Sequence, residues 1–306
     1  MITLGSVSHV VIEEHKEPIN AVAWSPDGRF FVSAAKDKTL ILWNAENWEK
    51  YRKYIGIRGE SMLISWSPDS SSFAVVVDNM KIMVYDIKLR GVFAELVGHT
   101  DRITAVSWDP QSEKIVSSSL DKTTNIWDVK KEDCIQTLRG HLGSVLATDW
   151  EKIKGVYIAT GGADGNLFVW LTEKWSIVSR LRGHLGAIKF VHWNPNRAVL
   201  ASACEGNIIR FWSYPAWRSI KAIRCPSNIM AMKWAPNGEY IAVACEDGAI
   251  RIWNIEGTLI GELRGHIGKV NTIDWSPDSK RIISGGQDRT IRIWDVFPEE
   301  KGSEEQ

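Results

Sequence analysis

The sequence predicts an all-β fold, seven four-stranded antiparallel sheets packed around a common axis, and three observations predict it. One structural unit is written seven times, at intervals of 41 to 43 residues. Within each copy, apolar and polar residues alternate over short runs, the period of a half-buried strand. Pro/Asp/Ser and Gly/Asp clusters, the chemistry of tight turns, separate those runs, and no helix-period pattern competes.

The unit is clearest over residues 265–295, GHIGKVNTIDWSPDSKRIISGGQDRTIRIWD. A Gly-His pair leads into an alternating segment that ends at Trp275, and Ser276-Pro277-Asp278 turns the chain. Ile282-Ile283-Ser284 form the next strand, Asp288 marks the next turn, and Ile291, Ile293, Trp294 and Asp295 close the third strand. The Trp before the first turn recurs as Trp24, Trp66, Trp108, Trp150, Trp193, Trp234 and Trp275. The end of the third strand recurs as Trp43, Tyr85, Trp127, Trp170, Trp212, Trp253 and Trp294. These markers lie 19 residues apart in six copies and 20 in the fourth, where Glu151-Lys152-Ile153-Lys154-Gly155 replaces the usual turn. Units of this length hold four short strands and bury their apolar faces only by packing sheet against sheet around an axis.

These repeats resemble the WD-repeat family. Gly-His stands at Gly98-His99, Gly140-His141, Gly183-His184 and Gly265-His266, and Trp-Asp at Trp127-Asp128 and Trp294-Asp295. Trp43-Asn44, Tyr85-Asp86, Trp170-Leu171, Trp212-Ser213 and Trp253-Asn254 are relaxed forms of the second pair. Seven matches in phase cover nearly the whole chain, and the resemblance implies a seven-bladed β-propeller spanning residues 1–297 as one domain. Phe297-Pro298 ends the repeats after only three strands of the seventh copy. Residues 6–13 precede His15 as Ile135 to Arg139 precede His141, so they are expected to supply the outer strand of blade 7, a closure like that seen in the family. Residues 298–306, acidic and containing Gly and Ser, are expected to form a flexible tail.

Composition narrows the function. An apolar share of 44% and 16 Trp are ample for a core, while 37 basic against 37 acidic residues leave no bulk field to draw the chain to nucleic acid or anionic membrane. The N-terminus carries no secretory signal and no apolar run approaches the ~18 residues of a membrane span, so a soluble, intracellular protein, cytoplasmic or nuclear, is expected. Cys134, Cys204, Cys225 and Cys245 form no Cys-x-x-Cys pair and read as reduced thiols.

Several copies hold His, Ser or Thr, Asp and Trp at constant offsets: His15, Ser33, Asp37, Trp43; His99, Ser117, Asp121, Trp127; His141, Thr160, Asp164, Trp170; His266, Ser284, Asp288, Trp294. These are the residue types of a hydrolase triad, yet an enzyme seldom needs one nucleophile set per repeat. An indole N–H only donates, a hydroxyl does both, a neutral imidazole does one of each and a carboxylate only accepts, so a chain from Trp to Asp satisfies every group. It also resembles the family's structural tetrad. Where the His position is Ile57 or Cys225, the Ser position is Val75 or Val243, so the hydroxyl disappears with its partner. Blade 5 keeps His184, Ser202 and Trp212 but has Gly206 in the Asp position, which predicts that His184 is the least firmly held. No His/Cys cluster has metal-ligand spacing, and His9 and His192 lie outside the repeat position.

With the framework assigned to folding, function falls to positions that vary between copies. The resemblance places two such sets around the top opening, where partners dock. The residue four before each first-marker Trp is Asn20, Met62, Thr104, Leu146, Lys189, Met230 or Asn271, and the residue before each tight turn is Lys36, Asp78, Leu120, Ala163, Glu205, Glu246 or Gln287. Leu120 and Leu146, with Arg102 nearby, are expected to form an exposed apolar patch. Met62 and Met230 add anchors, and Lys189, Glu205 and Glu246 set orientation. The expectation is a non-catalytic scaffold or adaptor that binds a protein or peptide as a subunit of a multiprotein complex, with no cofactor, no membrane and no direct nucleic acid or small-molecule substrate. Two alternatives stand beside it. Asp149, His192, Lys233 and Asp274, each just before its first-marker Trp, are candidates for a channel site in a ligand-binding or enzymatic propeller, and a subunit of a nucleic-acid-processing assembly is the other. Trp48, Trp175 and Trp217, each five residues after its third-strand marker, pack beneath an outer strand or offer a lateral contact.

Overall fold

The computed structural model describes residues 10–59, 63–89 and 91–297. Seven four-stranded antiparallel sheets make seven blades, and no helix is present among the described residues. Strands are labelled a to d outward from the axis; in blade 3 they are Ile103–Trp108, Lys114–Ser119, Thr123–Asp128 and Asp133–Arg139. The first marker ends strand a and the second falls at the end of strand c, as the spacing predicts.

Five of the seven first-marker indoles join their blade to the previous one, while Trp24 bonds Gly28 O within its own blade at 3.5 Å. The Nε1–H of Trp66, Trp108, Trp193, Trp234 and Trp275 donates to the backbone oxygens of Ala23, Ser65, Asp149, His192 and Lys233, at 3.0 to 3.2 Å. A large apolar ring with one donor suits this seam, since area and a directional bond come from one residue. Trp150 departs from the pattern and donates to Gly155 O at 3.0 Å, inside the blade 4 insertion. There Glu151 is buried, and its carboxylate accepts the backbone N–H groups of Ile153, Lys154 and Val156. That single side chain replaces the Ser25–Asp27 and Ser276–Asp278 pairs that cap the same turn in blades 1 and 7.

Closure uses the N-terminus. Val10–Ile12 is strand d of blade 7 and pairs antiparallel with strand c, Ile291–Asp295, with Val10 opposite Ile293, Val11 opposite Arg292 and Ile12 opposite Ile291. The expected strand over residues 6–13 is therefore shorter at its end, stopping before Glu13, and residues 6–9 lie outside the described residues. The tail at 298–306, Met62 and His9 also lie outside them. Val10 and Ile12 pack on a cluster that spans blades 7 and 1, including Ile19, Phe31, Ile41, Ile283 and Ile293. The four cysteines are free, and Cys204, Cys225 and Cys245 are buried.

Candidate interaction surface

Two kinds of loop meet at one end of every sheet, which defines the upper face. The b–c turn is tied to the d–a connection by a backbone hydrogen bond in successive blades: Leu120 N–H to Arg102 O, Ala163 to Ser144, Glu205 to Ala187 and Glu246 to Asn228, at 2.8 to 2.9 Å. Beneath this ring lie the His, Ser/Thr, Asp and Trp side chains.

In blade 3, Trp127 Nε1–H donates to Ser117 Oγ at 2.7 Å, His99 Nε2 lies 2.8 Å from that oxygen, and His99 Nδ1 lies 2.7 Å from Asp121. Blades 1, 4 and 7 repeat this through Trp43–Ser33–His15–Asp37, Trp170–Thr160–His141–Asp164 and Trp294–Ser284–His266–Asp288, with every link between 2.7 and 3.1 Å. Donors alternate with acceptors along the chain, so each histidine needs only one proton, on Nδ1. Blade 5 keeps Trp212 to Ser202 at 2.8 Å and His184 Nε2 to Ser202 at 2.7 Å, but His184 Nδ1 has no partner. Blade 6 replaces the set differently: Asp247 pairs with buried Arg251 instead of a histidine, and Cys225 and Cys245 approach to 3.5 Å.

Burial pushes the His15 and His141 imidazoles below their ordinary range, against the pull of Asp37 and Asp164. It pushes His184 down to about 4, helped by the Arg210 guanidinium. On Asp164 burial acts upward, but the Asn166 backbone N–H and His141 outweigh it and the carboxyl falls to about 2. A histidine depressed in the fold favours the neutral form, so its contribution is complete above ~6.5 and is lost as pH falls towards the folded value. The carboxylates act in the same direction but only below ~4. The melting temperature is thus expected to fall between pH 6.5 and pH 4.5, and His184→Gln to flatten that slope. A melting temperature constant across this window in the parent protein contradicts the account.

The residues singled out for the upper face are placed unevenly. Asn20, Thr104, Leu146, Lys189, Met230 and Asn271 are each the residue skipped by a register shift between strands a and b, as between Ile103 and Ala105 in blade 3. Such a bulge re-aims a side chain, and these six all line the axial cavity. Leu146 and Met230 are half-buried there, and Lys189 is exposed. Leu120 is half-buried too, so the expected exposed apolar pair is not fully exposed; the d–a connection folds over the turn that carries it. Arg102 is half-buried beside it, Glu205 is exposed and 3.4 Å from Lys189, and Glu246 is held by Lys269 at 2.5 Å.

The most exposed apolar side chains of this face occupy a position the sequence reading passed over, the residue after the Gly-His histidine. Leu142 is 83% exposed, Leu185 103% and Ile267 80%, and Pro226 at the same position in blade 6 is also exposed. The signal was available as an offset: Lys16, Arg58 and Thr100 in blades 1 to 3 give way to Leu142, Leu185, Pro226 and Ile267 in blades 4 to 7.

Asp149, His192, Lys233 and Asp274 all line the axial cavity, whose volume is about 720 Å³. Asp149 accepts from Ser107 Oγ and the Trp193 backbone N–H, at 2.7 and 2.8 Å, and pairs with Lys152 at 3.0 Å. His192 lies 3.9 Å from it. Burial and the Lys233 charge push His192 down to about 3, while burial pushes Asp274 up despite Lys233 and the Trp24 N–H. Among the described residues no three His, Cys, Asp or Glu side chains are grouped to hold a metal ion. Trp48, Trp175 and Trp217 are half-buried at positive φ, 63°, 52° and 53°, and lie 6.1 to 6.4 Å from Trp24, Trp150 and Trp193 of their own blades. A bulky residue takes such a backbone only when its packing demands it, so these rings are spent inward.

A family profile described as WD domain, G-beta repeat, matches residues 6–44, 91–128, 132–170, 175–213, 217–254 and 257–295. The unmatched interval takes in most of blade 2, where Ile57 and Val75 replace the histidine and serine. Over 40 residues the chain is 40% identical to Protein HIR1 of Candida albicans (strain SC5314 / ATCC MYA-2876), a stretch that is 13% of this chain and 4% of that protein. Matched repeats over most of the chain, seven closed blades and the recurrent Trp–Ser–His–Asp links together mean that this protein belongs to the WD-repeat family of β-propellers.

Proposed function

We propose that the protein is a non-catalytic interaction platform that binds a peptide or loop of a protein partner across its upper face, as one subunit of a larger assembly. The observation that carries this reading is the arc of Leu142, Leu185, Pro226 and Ile267, apolar tips on four consecutive blades that the fold leaves in water. Burying a leucine side chain of this kind is worth ~1.5–3 kcal/mol, and the fold gains nothing from it here, so a partner is the natural recipient. Half-buried Leu120, Leu146 and Met230 then form the inner wall, with Arg102, Lys189, Glu205 and Glu246 as the polar rim that orients the partner. The tetrad histidines and carboxylates are engaged with one another below this surface, which supports a structural role for them over a catalytic one.

The axial cavity supports a ligand site less well, because Asp149 already has two hydrogen-bond donors and a lysine. Affinity capture from native extract should lose its specific partners when Leu142→Glu and Leu185→Glu are combined, with the melting temperature unchanged. Retention of the same partners by the folded double variant moves the interface off this face.

A further inference from the structure

In blades 1, 3, 4 and 7 the tetrad carboxylate caps its own turn by accepting the backbone N–H two residues on, from Thr39, Thr123, Asn166 or Thr290, and it has two partners beyond that turn. It accepts from the histidine Nδ1–H, and it accepts the backbone N–H of the following residue, Lys16, Thr100, Leu142 or Ile267, at 2.8 to 3.1 Å. Blade 5 has no carboxylate to do either. Gly206 occupies the position at φ 98°, in a turn closed by Asn207 N–H to Cys204 O at 3.0 Å. A Cβ placed on Gly206 would meet no atom within 4 Å, so the space stands open.

The rest of the network is intact and fixes what that space lacks. Ser202 Oγ accepts the Trp212 indole N–H, so its own proton goes to His184 Nε2, and the neutral imidazole carries its proton on Nδ1. That donor is buried and has no acceptor, and the same is true of Arg210 Nε. Both residues line a cavity of about 410 Å³ together with Gly183, Gly206 and Arg224. The field around it is predominantly positive: Glu205 also lines the cavity, but its carboxylate is paired with Lys189 at 3.4 Å. Residues 174–224 contain nine Lys/Arg and a single acidic residue, Glu205, in a chain whose charges otherwise balance at 37 and 37.

We propose that blade 5 is a carboxylate-binding site, in which an acidic side chain of a partner peptide takes the place of the missing aspartate and completes the tetrad in trans. One oxygen would accept His184 Nδ1–H, and the Arg210 and Arg224 guanidiniums would neutralise the charge. The seat is one that a carboxylate occupies in four other blades of the same chain, which favours a carboxylate over a phosphate. Leu185, fully exposed beside the site, and Leu142 of the neighbouring blade suit apolar residues flanking the acid. The peptide as source rests on the upper-face reading; the carboxylate site itself does not.

The test uses the full chain with ¹⁵N-labelled histidine, followed by NMR. Titration with acetyl-Leu-Glu-Leu-amide should shift the His184 ring nitrogens saturably, while acetyl-Leu-Gln-Leu-amide should not. Arg224→Gln, an exposed substitution that leaves the core untouched, should weaken the Glu peptide tenfold or more, and Arg210→Gln likewise. Equal binding of the Glu and Gln peptides overturns the proposal. So does saturation by inorganic phosphate, or steeply salt-dependent RNA binding, through the same two arginines. If acetate saturates the site and the Glu peptide does not, the carboxylate is a free one and the peptide assignment falls. Partners retained by the Leu142/Leu185 variant while the parent chain still selects the Glu peptide strike the platform alone, and partners lost by that variant while the Glu and Gln peptides bind equally strike this site alone.

Discussion

Deleting residues 1–13 is expected to lower the melting temperature by about 10 °C and to turn a monodisperse protein into one that self-associates. Val10–Ile12 is the outer strand of blade 7, and without it the strand that ends at Trp294 and Asp295 becomes an open edge. Three residue pairs of ladder are lost, at ~1 kcal/mol for each hydrogen bond. Val10 and Ile12 leave the cluster that joins blade 7 to blade 1, at about 1 kcal/mol for each half-buried side chain. The total is about 5 kcal/mol, and a chain of this size loses at least roughly 2 °C per kcal/mol. The location adds to the cost, because a ring of blades has one seam and both of its sides lean on this strand. The free edge, with Ile291 and Ile293 in it, is a template for another chain. Val11→Thr is the control: Val11 points outward, 42% exposed, and its replacement should leave the melting temperature within 1–2 °C of the parent, since outward substitutions stay within ~0.5 kcal/mol. Equal melting temperatures for the truncated and full-length chains contradict the closure as an energetic element.

The blade count, the strand order and the closing strand were legible in the sequence because they depend on residues with a fixed duty. A tryptophan that must fill a seam and donate one hydrogen bond leaves the same mark in each copy, and Trp66 to Ala23 O or Trp275 to Lys233 O are instances of one rule. The His–Ser–Asp–Trp offsets were legible for a related reason, since their donors and acceptors are complementary and fail together, as at Ile57 and Val75. Exposure was not legible. Leu120 stands at a turn, where local chemistry says surface, yet the connection through Arg102 folds over it. Leu146 falls on a bulge, and one skipped residue decides which way its side chain faces. The basic field of blade 5 was hidden by the neutral sum, because Arg210 and Arg224 lie on paired strands and gather only when the sheet forms.

Ser117→Val in blade 3 is expected to be among the most destabilising single substitutions in the chain, although it removes one oxygen and adds two methyl groups. Ser117 is fully buried, and its hydroxyl is shared by the Trp127 indole N–H at 2.7 Å and the His99 imidazole at 2.8 Å. Losing it strands a donor and an acceptor together, each at ~1–3 kcal/mol, and leaves His99 held on one side only, through Asp121. A loss of about 3–4 kcal/mol follows, with a melting temperature lower by roughly 10 °C. Blade 2 shows how the same position tolerates valine. There Val75 sits with Ile57 in place of the histidine and Tyr85 in place of the tryptophan, all three buried, with Tyr85 stacked on Phe73 at 5.2 Å. Transplanting that set as His99→Ile, Ser117→Val and Trp127→Tyr should recover at least half of what Ser117→Val loses, because no polar atom is left waiting for the missing oxygen. Chemical denaturation of the two variants decides the matter. If the triple variant is less stable than the single one, the hydroxyl matters through packing at that position, and the tetrads are not held together by mutual satisfaction of their polar groups.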